Sequence, residues 1–424
     1  MTVVRGQQEP RGYGSRVSLA KRILAFAGVP FVSLIAPLIF LPVLARLAGS
    51  DVWVAIALGQ SVGGMATVVA GLGYSTLAPP VVAVASGEER RRILATSVHV
   101  RGPVWAVAAL IALVIAVAMA PESSRLEAGL MTFGMSLAAL APTWYWIGVG
   151  RALPILWTEV LPRMLATLAA TCILFLGGSA IWYPVLLTAA IVVGPGVVYL
   201  RLAGEELKRV RRAEVMEILQ RHPPAVVAEV AGGAYNTLAV ALVTAVTPLA
   251  QAAKFVSGDK AYRIGQYSVS ALGNALQGWV VEDRERGMAR RLRLVIMLHA
   301  VLGGGGLIAF GLLGSWITVV LFGADKSISS FTAWGFGVAI LGIATGTAFG
   351  RIGLIIIGAR KAFMMCVVAA SALGAASLVL AGTLWGVAGA AWALGVTELL
   401  SGTAQAIVFA VLWRSRCRAD ALGE

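Results

Sequence analysis

The sequence predicts an all-α polytopic membrane protein, with twelve transmembrane helices in two six-helix bundles. Three observations lead there: a composition too apolar and too poor in charge for a water-soluble domain, a series of apolar runs of spanning length, and a one-sided placement of the basic residues. The chain has 424 residues, 59% hydrophobic and 13% charged, against roughly 45–50% apolar and 25% charged in ordinary soluble domains. Its 49 glycines and 16 prolines would interrupt soluble helices. Membrane helices tolerate both, because neighbouring helices re-satisfy the freed backbone groups.

Crossing a bilayer core takes roughly 20 predominantly apolar residues. Such runs fall near 24–45, 53–75, 100–120, 128–149, 153–176 and 180–200, then near 226–250, 264–281, 294–322, 331–358, 362–381 and 385–412. They divide the chain into a tail (1–23), a first bundle (24–200), a linker (201–225), a second bundle (226–413) and a tail (414–424). The polar, basic opening "MTVVRGQQEPRGYGSRVSLAKR" is followed by a run with no small-residue cleavage signal, which reads as a first spanning helix rather than a leader.

Twelve spans with both termini cytoplasmic put 26 of the 34 Lys and Arg residues in cytoplasmic segments. Six lie outside (Arg46, Arg125, Lys254, Lys260, Arg263 and Lys326), and Arg163 and Arg351 remain within spans. Cytoplasmic loops of membrane proteins carry this excess, so the expected location is the cell membrane, multi-pass, with both tails cytoplasmic. The net charge of +14 is dispersed in short clusters, which suits anionic membrane lipid and excludes a nucleic-acid groove. Cys172, Cys366 and Cys417 show no CxxC or pairing pattern, so neither a disulfide framework nor a metal site is expected.

Between the bundles, "RLAGEELKRVRRAEVMEILQRHPP" (201–224) carries a charge about every third or fourth residue. That spacing predicts an amphipathic helix on the cytoplasmic surface, either a linker that sets topology or a regulatory, partner-binding segment. The bundles themselves resemble one another. "RRRILATSVH" (90–99) aligns without a gap to "RRLRLVIMLH" (290–299), pairing His99 with His299, while Pro42 pairs with Pro248 and Gln60 with Gln266 at a slightly different offset. Six crossings return a chain to its starting side, so the repeats are parallel, related by a pseudo-twofold axis along the membrane normal. A central cleft lies between them.

An arginine at a helix centre costs roughly 2.5–3.5 kcal/mol on insertion scales. Arg163 lies about ten residues into the fifth span, hence about 15 Å deep at 1.5 Å per residue. Glu159 precedes it by one turn on the same face, either as a packing ion pair or as part of a polar cavity wall. Arg351, in "FGRIG", is a second candidate for the cavity, and snorkelling accounts for part of its placement. Glu398, among small and hydroxyl residues in "GVTELLSGTAQ", is a candidate proton or cation site. The repeat-related His99 and His299 are candidate proton carriers, with interfacial polar packing the alternative. Basic residues at two depths of a cleft point to an anionic cargo or headgroup. No GxxxxGK[ST] phosphate loop or other ATP-hydrolysing pattern occurs, so no cofactor, catalytic group or metal is expected. The chain reads as a secondary transporter driven by an ion or cargo gradient, not an enzyme. Glycine-rich stretches such as 59–73, 303–306 and 335–350 permit close helix approach, whether for sliding or for static packing.

One stretch stands out: "APTWYWIGVGR" (141–151) sets Trp144, Tyr145 and Trp146 between a proline and Arg151. It resembles the proline–Trp–aromatic–aromatic–x–Gly segment of Wzx-type polysaccharide flippases of the MOP superfamily. "FLPVLARLAGSD" (40–51), "ALGQSVGGMATVVAGLGYS" (57–75) and "EVLPRM" (159–164) are similar to the same family, and the resemblance covers most of the chain. Leu-Ala-Pro-Pro at 77–80 departs from the polar, often arginine-bearing continuation common after the second span, which removes an arginine contact there. The resemblance implies a MATE-like fold and translocation of undecaprenyl-pyrophosphate-linked oligosaccharide repeat units from the inner to the outer leaflet. It also implies functional partners: a polysaccharide polymerase and a chain-length regulator. Arg163 and Arg351, with Arg151 at the mouth, are the headgroup candidates. Trp144, Tyr145 and Trp146 form the aromatic entrance, either as amphiphiles anchored at headgroup level or as surfaces that stack on sugars. A lipid II or teichoic-precursor flippase, a cation-coupled multidrug exporter of the same superfamily and a membrane-embedded glycosyltransferase or polymerase are the competing readings.

Overall fold

The computed structural model describes residues 35–208, 210, 215–216, 223–281 and 288–422. The tail 1–23, the start of the first expected span, most of the charged linker and the last two residues lie outside the described residues. The N-terminal half contains α1 (Ile35–Leu47), α2 (Gly49–Gly71), α3 (Tyr74–Val84), α4 (Gly87–Met119), α5 (Arg125–Ser136), α6 (Thr143–Val149), α7 (Leu153–Phe175) and α8 (Trp182–Ala203). The C-terminal half contains α9 (Pro223–Val246), α10 (Leu249–Val281), α11 (Met288–Phe322) and α12 (Ser330–Leu354). It ends in a stretch, Arg360–Leu422, whose backbone leaves the helical region at Gly386 (φ 61°, ψ −144°). A positive φ is natural for glycine, and the break separates α13 (360–385) from α14 (387–422). Gln251 accepts the Val387 N–H at 3.1 Å, so the break leaves no orphan there.

Among the described residues, seven helical stretches are long and apolar enough to cross a membrane: α2, α4, α7, α8, α11, α12 and the bent α13–α14 stretch. The chain is therefore an all-α polytopic membrane protein. Helix covers most of the described part of each expected span. The fourth is broken where a 3-10 turn (Leu137–Leu140) and Pro142 interrupt the ladder between α5 and α6.

Two expectations are corrected. Lys260 and Arg263, placed by hydropathy in an outer segment with Lys254, lie inside α10, a continuous helix of 33 residues that begins at Pro248. Charges at i and i+4 pair there, and local pairing keeps a low-hydropathy stretch helical. Arg101, counted among cytoplasmic basic residues, is 1% exposed within α4.

Each half packs largely within itself. α2 lies against α4 and α5, α5 against α8, α7 against α8, and α3 against α6. In the second half α12 packs on α11, α10 and the α13–α14 stretch, and α9 on that stretch too. A methyl at Gly59 or Gly63 of α2 would fall 2.7 or 2.5 Å from the Ala128 or Thr132 carbonyl of α5, so these two glycines set that approach. The seam between the halves is α2 against α9 and α10.

Candidate functional site

Along the seam, polar side chains sit between packed helices. Asp259 is 1% exposed and accepts from Arg263 Nε at 2.8 Å, while the Arg263 guanidinium also donates to the Asn236 carbonyl of α9 at 2.9 Å. Lys260, the next residue, turns to the other half: its Nζ donates to Gln60 Oε1 of α2 at 2.7 Å. Gln60 Nε2 in turn donates to the Tyr183 hydroxyl of α8 at 3.3 Å. Asp259 thus pairs with Arg263, and Lys260 rests on a neutral amide. Charges within membrane-spanning segments are costly to insert and are candidates for substrate or ion pathways. Hydropathy missed this cluster. The signal that could have found it was the Asp259/Arg263 spacing of four in a stretch with no proline after Pro248.

The expected residues fall into separate places. Glu159 is 4% exposed in a π-helical turn (Leu156–Val160) of α7, a feature frequent at functional sites. Arg163 NH2 stands 3.7 Å from its Oε2, and Thr143 Oγ1 donates to the same oxygen at 2.6 Å. The motif 141–151 therefore joins the ion pair through Thr143. Its aromatics face protein: Trp144 is 3% and Tyr145 6% exposed, and Trp146 is half-buried. They pack with Tyr74, Val82, Leu94, Val198 and Tyr199. The Arg101 guanidinium lies over the Trp144 and Tyr74 rings, 5.5 and 5.0 Å from their centroids. Arg151 is exposed in the turn after α6.

Arg351 and Glu398 line one cavity of about 190 Å³ in the second half, with Tyr235, Gln266, Thr397 and Gln405. Arg351 sits in the π-helical end of α12 (Gly346–Leu354) and donates to Asn274 Oδ1 of α10. Neither Glu159 nor Arg163 lines this cavity. His99 and His299 make the same contact, each with Nδ1 on the carbonyl four residues back, Ala95 at 3.1 Å and Val295 at 2.8 Å. His299 is buried, and its Nε2 has no partner among the described residues. The offset that pairs the histidines also pairs Gly150–Arg151 with Gly350–Arg351.

Residues 19–276, well over half of the chain, match the family described as "Polysaccharide biosynthesis protein". Among curated proteins none matches the chain. Among solved structures it is similar to the lipid II flippase MurJ in an inward closed conformation, with a TM-score of 0.70 and 12% identity over 91% of this chain and 87% of that one. It is also similar to a MATE protein in the straight conformation, with a TM-score of 0.54 and 11% identity over 96% of each chain. An outward-facing multidrug resistance MATE family transporter of the MOP superfamily gives a TM-score of 0.52 and 13% identity over 95% of this chain and 96% of that one. At such identities the likeness establishes the fold, an all-α membrane fold shared by flippases and exporters.

Proposed function

Because the chain belongs to the polysaccharide biosynthesis protein family, we propose that it is a Wzx-type flippase of the MOP superfamily. Its cargo is an undecaprenyl-pyrophosphate-linked oligosaccharide repeat unit, moved from the inner to the outer leaflet by alternating access for surface polysaccharide synthesis. The observation that carries this reading is Lys260: an ammonium at the seam between the halves, held by a neutral amide while the neighbouring carboxylate is committed to Arg263. A cation so placed attracts an anion that enters between the halves, and a diphosphate supplies the charge-assisted hydrogen bonds that an amide lacks.

In this reading the twelve helical segments form two parallel six-helix bundles, with both termini and the linker cytoplasmic. The hydrogen bonds across the seam along α2 lie between Trp53 and Ser61, and in this reading the cleft opens toward the other end of α2. That end carries Arg90, Arg151 and Arg291, and basic loops face the cytoplasm. The cargo enters there past Arg151, in contact with anionic lipid, and Arg163 and Arg351 contribute positive charge along the two bundles. Trp144, Tyr145 and Trp146 support the entrance as its packed wall. Glu398, His99 and His299 are the groups for ion coupling. A polymerase and a chain-length regulator receive the product.

The test is leaflet-resolved accumulation of lipid-linked oligosaccharide in a strain lacking its own flippase. Lys260→Gln at matched expression lowers export about tenfold, the effect of losing one charge-assisted hydrogen bond. Unchanged export by that variant overturns the assignment. Lipid II carries the same diphosphate, and supplying each cargo separately distinguishes the two.

A further inference from the structure

The hydrogen bonds between the halves form a ladder. At one end Arg46, in the last turn of α1, donates to the Val320 and Leu321 carbonyls at the end of α11. Near the start of α2, Trp53 Nε1 donates to the Ala253 carbonyl at 3.2 Å, and its ring meets Phe322 with centroids 5.3 Å apart. Two turns on, Ser61 Oγ donates to the Thr237 carbonyl of α9 and accepts from Ala241 N at 3.3 Å. In all three rungs the second half offers backbone groups, and the first half supplies the side chain, charged only at Arg46. Gln60–Lys260 is the exception: side chain to side chain, with the charge on the second half.

That rung sits beside the Ser61 rung, at the end of the ladder away from Arg46. The Tyr183 hydroxyl accepts from the Gln60 amide at 3.3 Å, so Gln60 is held toward the seam and cannot follow the ammonium if it swings away. Once Lys260 leaves, the half-buried Gln60 Oε1 loses its described donor, a state that partial burial makes unfavourable. The rung is then strained toward separation, which rehydrates the amide. A ligand shifts an equilibrium only by its differential affinity for the two states, and an anion on Lys260 has that difference built in.

We propose that Gln60–Lys260 is the rung that couples cargo to opening. A diphosphate in the cleft draws the Lys260 ammonium off Gln60, and the loss of that contact loosens the ladder up to Arg46, so the loaded protein opens at the Arg46 end. The coupling rests on the flippase reading above. It gives Gln60 a positioning role: the residue holds the receptor cation and reports its departure.

The experiment uses the full chain in lipid nanodiscs, with Cys172, Cys366 and Cys417 replaced and spin labels at Leu126→Cys and Phe331→Cys. These two positions are 61% and 63% exposed at the starts of α5 and α12, on the Arg46 end of the ladder. Pulsed electron resonance reads the distance between them, with and without undecaprenyl diphosphate as the probe. In the unsubstituted protein the probe populates a longer distance. Gln60→Glu turns the rung into an ion pair and cuts that long-distance population about tenfold. Gln60→Leu removes the acceptor, and the long distance is populated before any probe is added. The exchange Gln60→Lys with Lys260→Gln restores a bond of reversed polarity, and the resting distance returns to that of the parent. A Gln60→Glu protein that responds to the probe like the parent overturns the coupling, as does a Gln60→Leu protein that stays closed. The flippase reading fails separately: the parent then ignores the probe and exports nothing, while Gln60→Glu and Gln60→Leu still move the resting distance in opposite directions.

Discussion

Arg101 and Lys260 are both cations within helices, and neither belongs to a described ion pair, yet their surroundings differ in one respect. Arg101 is saturated. Its Nε donates to the Ser97 carbonyl, one terminal nitrogen to the Ala139 and Ala141 carbonyls, and the other to Ser97 Oγ and the Tyr199 hydroxyl. A guanidinium has five donors, and here each has an acceptor, with two aromatic faces packed on the plane. Lys260 has three donors and, among the described residues, one hydrogen bond, to a residue of the other half. Burial of a cation is therefore no sign of function by itself. Unused donors at a seam are the sign. Arg163, with a carboxylate at 3.7 Å and a buried Nε without a partner among the described residues, lies between these extremes, as does Arg351 with its one described amide acceptor.

The largest effect that tests this contrast is on folding. Arg101→Ala strands the Ala139 and Ala141 carbonyls where the ladder between α5 and α6 is broken, and empties the space between Tyr74 and Trp144. A loss of about 3–5 kcal/mol is expected, as when one member of a buried charged network is removed. It is measured as a fall in the thermal midpoint of the detergent-solubilised protein. Arg101→Lys recovers little, because one point charge cannot reach acceptors arranged around a planar fork. Lys260→Gln, by contrast, leaves the midpoint near that of the parent and lowers export. Equal destabilisation by the two substitutions would break the comparison.

Arg163 sharpens it. Arg163→Gln leaves the Glu159 carboxylate, 4% exposed, with Thr143 as its described hydrogen-bond partner, at a cost of about 1–3 kcal/mol for an unsatisfied charged group. The double variant Glu159→Gln/Arg163→Gln removes both charges and returns the lost stability. Export by that variant separates the roles. Recovery to the parent's level makes the pair structural, whereas a folded protein with low export leaves the charge of Arg163 in contact with cargo.

These differences were unevenly legible in the sequence. Glu159 and Arg163 stand out because a spacing of four inside an apolar run is visible locally, as are the long apolar runs of a polytopic membrane protein. The α10 cluster was hidden by the same measure: Lys254, Asp259, Lys260 and Arg263 lower the hydropathy of 249–263 to that of a loop, although each falls within helix. Arg101 was hidden for another reason. It follows Arg90, Arg91 and Arg92 in a basic cluster that hydropathy assigns to the cytoplasm, and its acceptors lie up to 98 residues away. Trp144 and Tyr145 were legible as a motif, but not as a core, because the partners that cover them come from α3, α4 and α8. A pattern shows what is near in the chain. Saturation depends on what the fold brings from afar.

The smallest expected effect concerns Arg351. Its guanidinium has one described acceptor, Asn274 Oδ1, and opens on the cavity that also holds Glu398. Arg351→Ala therefore removes a single side-chain contact and costs about 0.5–1.5 kcal/mol of stability, well below the loss at Arg101. The effect on export depends on what the charge does. As a point charge that raises the potential along the second bundle, it is replaceable, and Arg351→Lys exports better than Arg351→Ala at matched expression. A planar guanidinium that grips two oxygens of an anion at once is not replaceable by lysine, so equal losses for Lys and Ala indicate bidentate contact. Asn274→Ala supplies the control, since it frees the guanidinium without removing its charge. If Asn274 merely parks Arg351, export by Asn274→Ala matches or exceeds the parent. If Asn274 orients it toward cargo, export falls as it does in Arg351→Ala. An Arg351→Ala protein with full export would place Arg351 beside Arg101, among the cations that hold the fold rather than move the cargo.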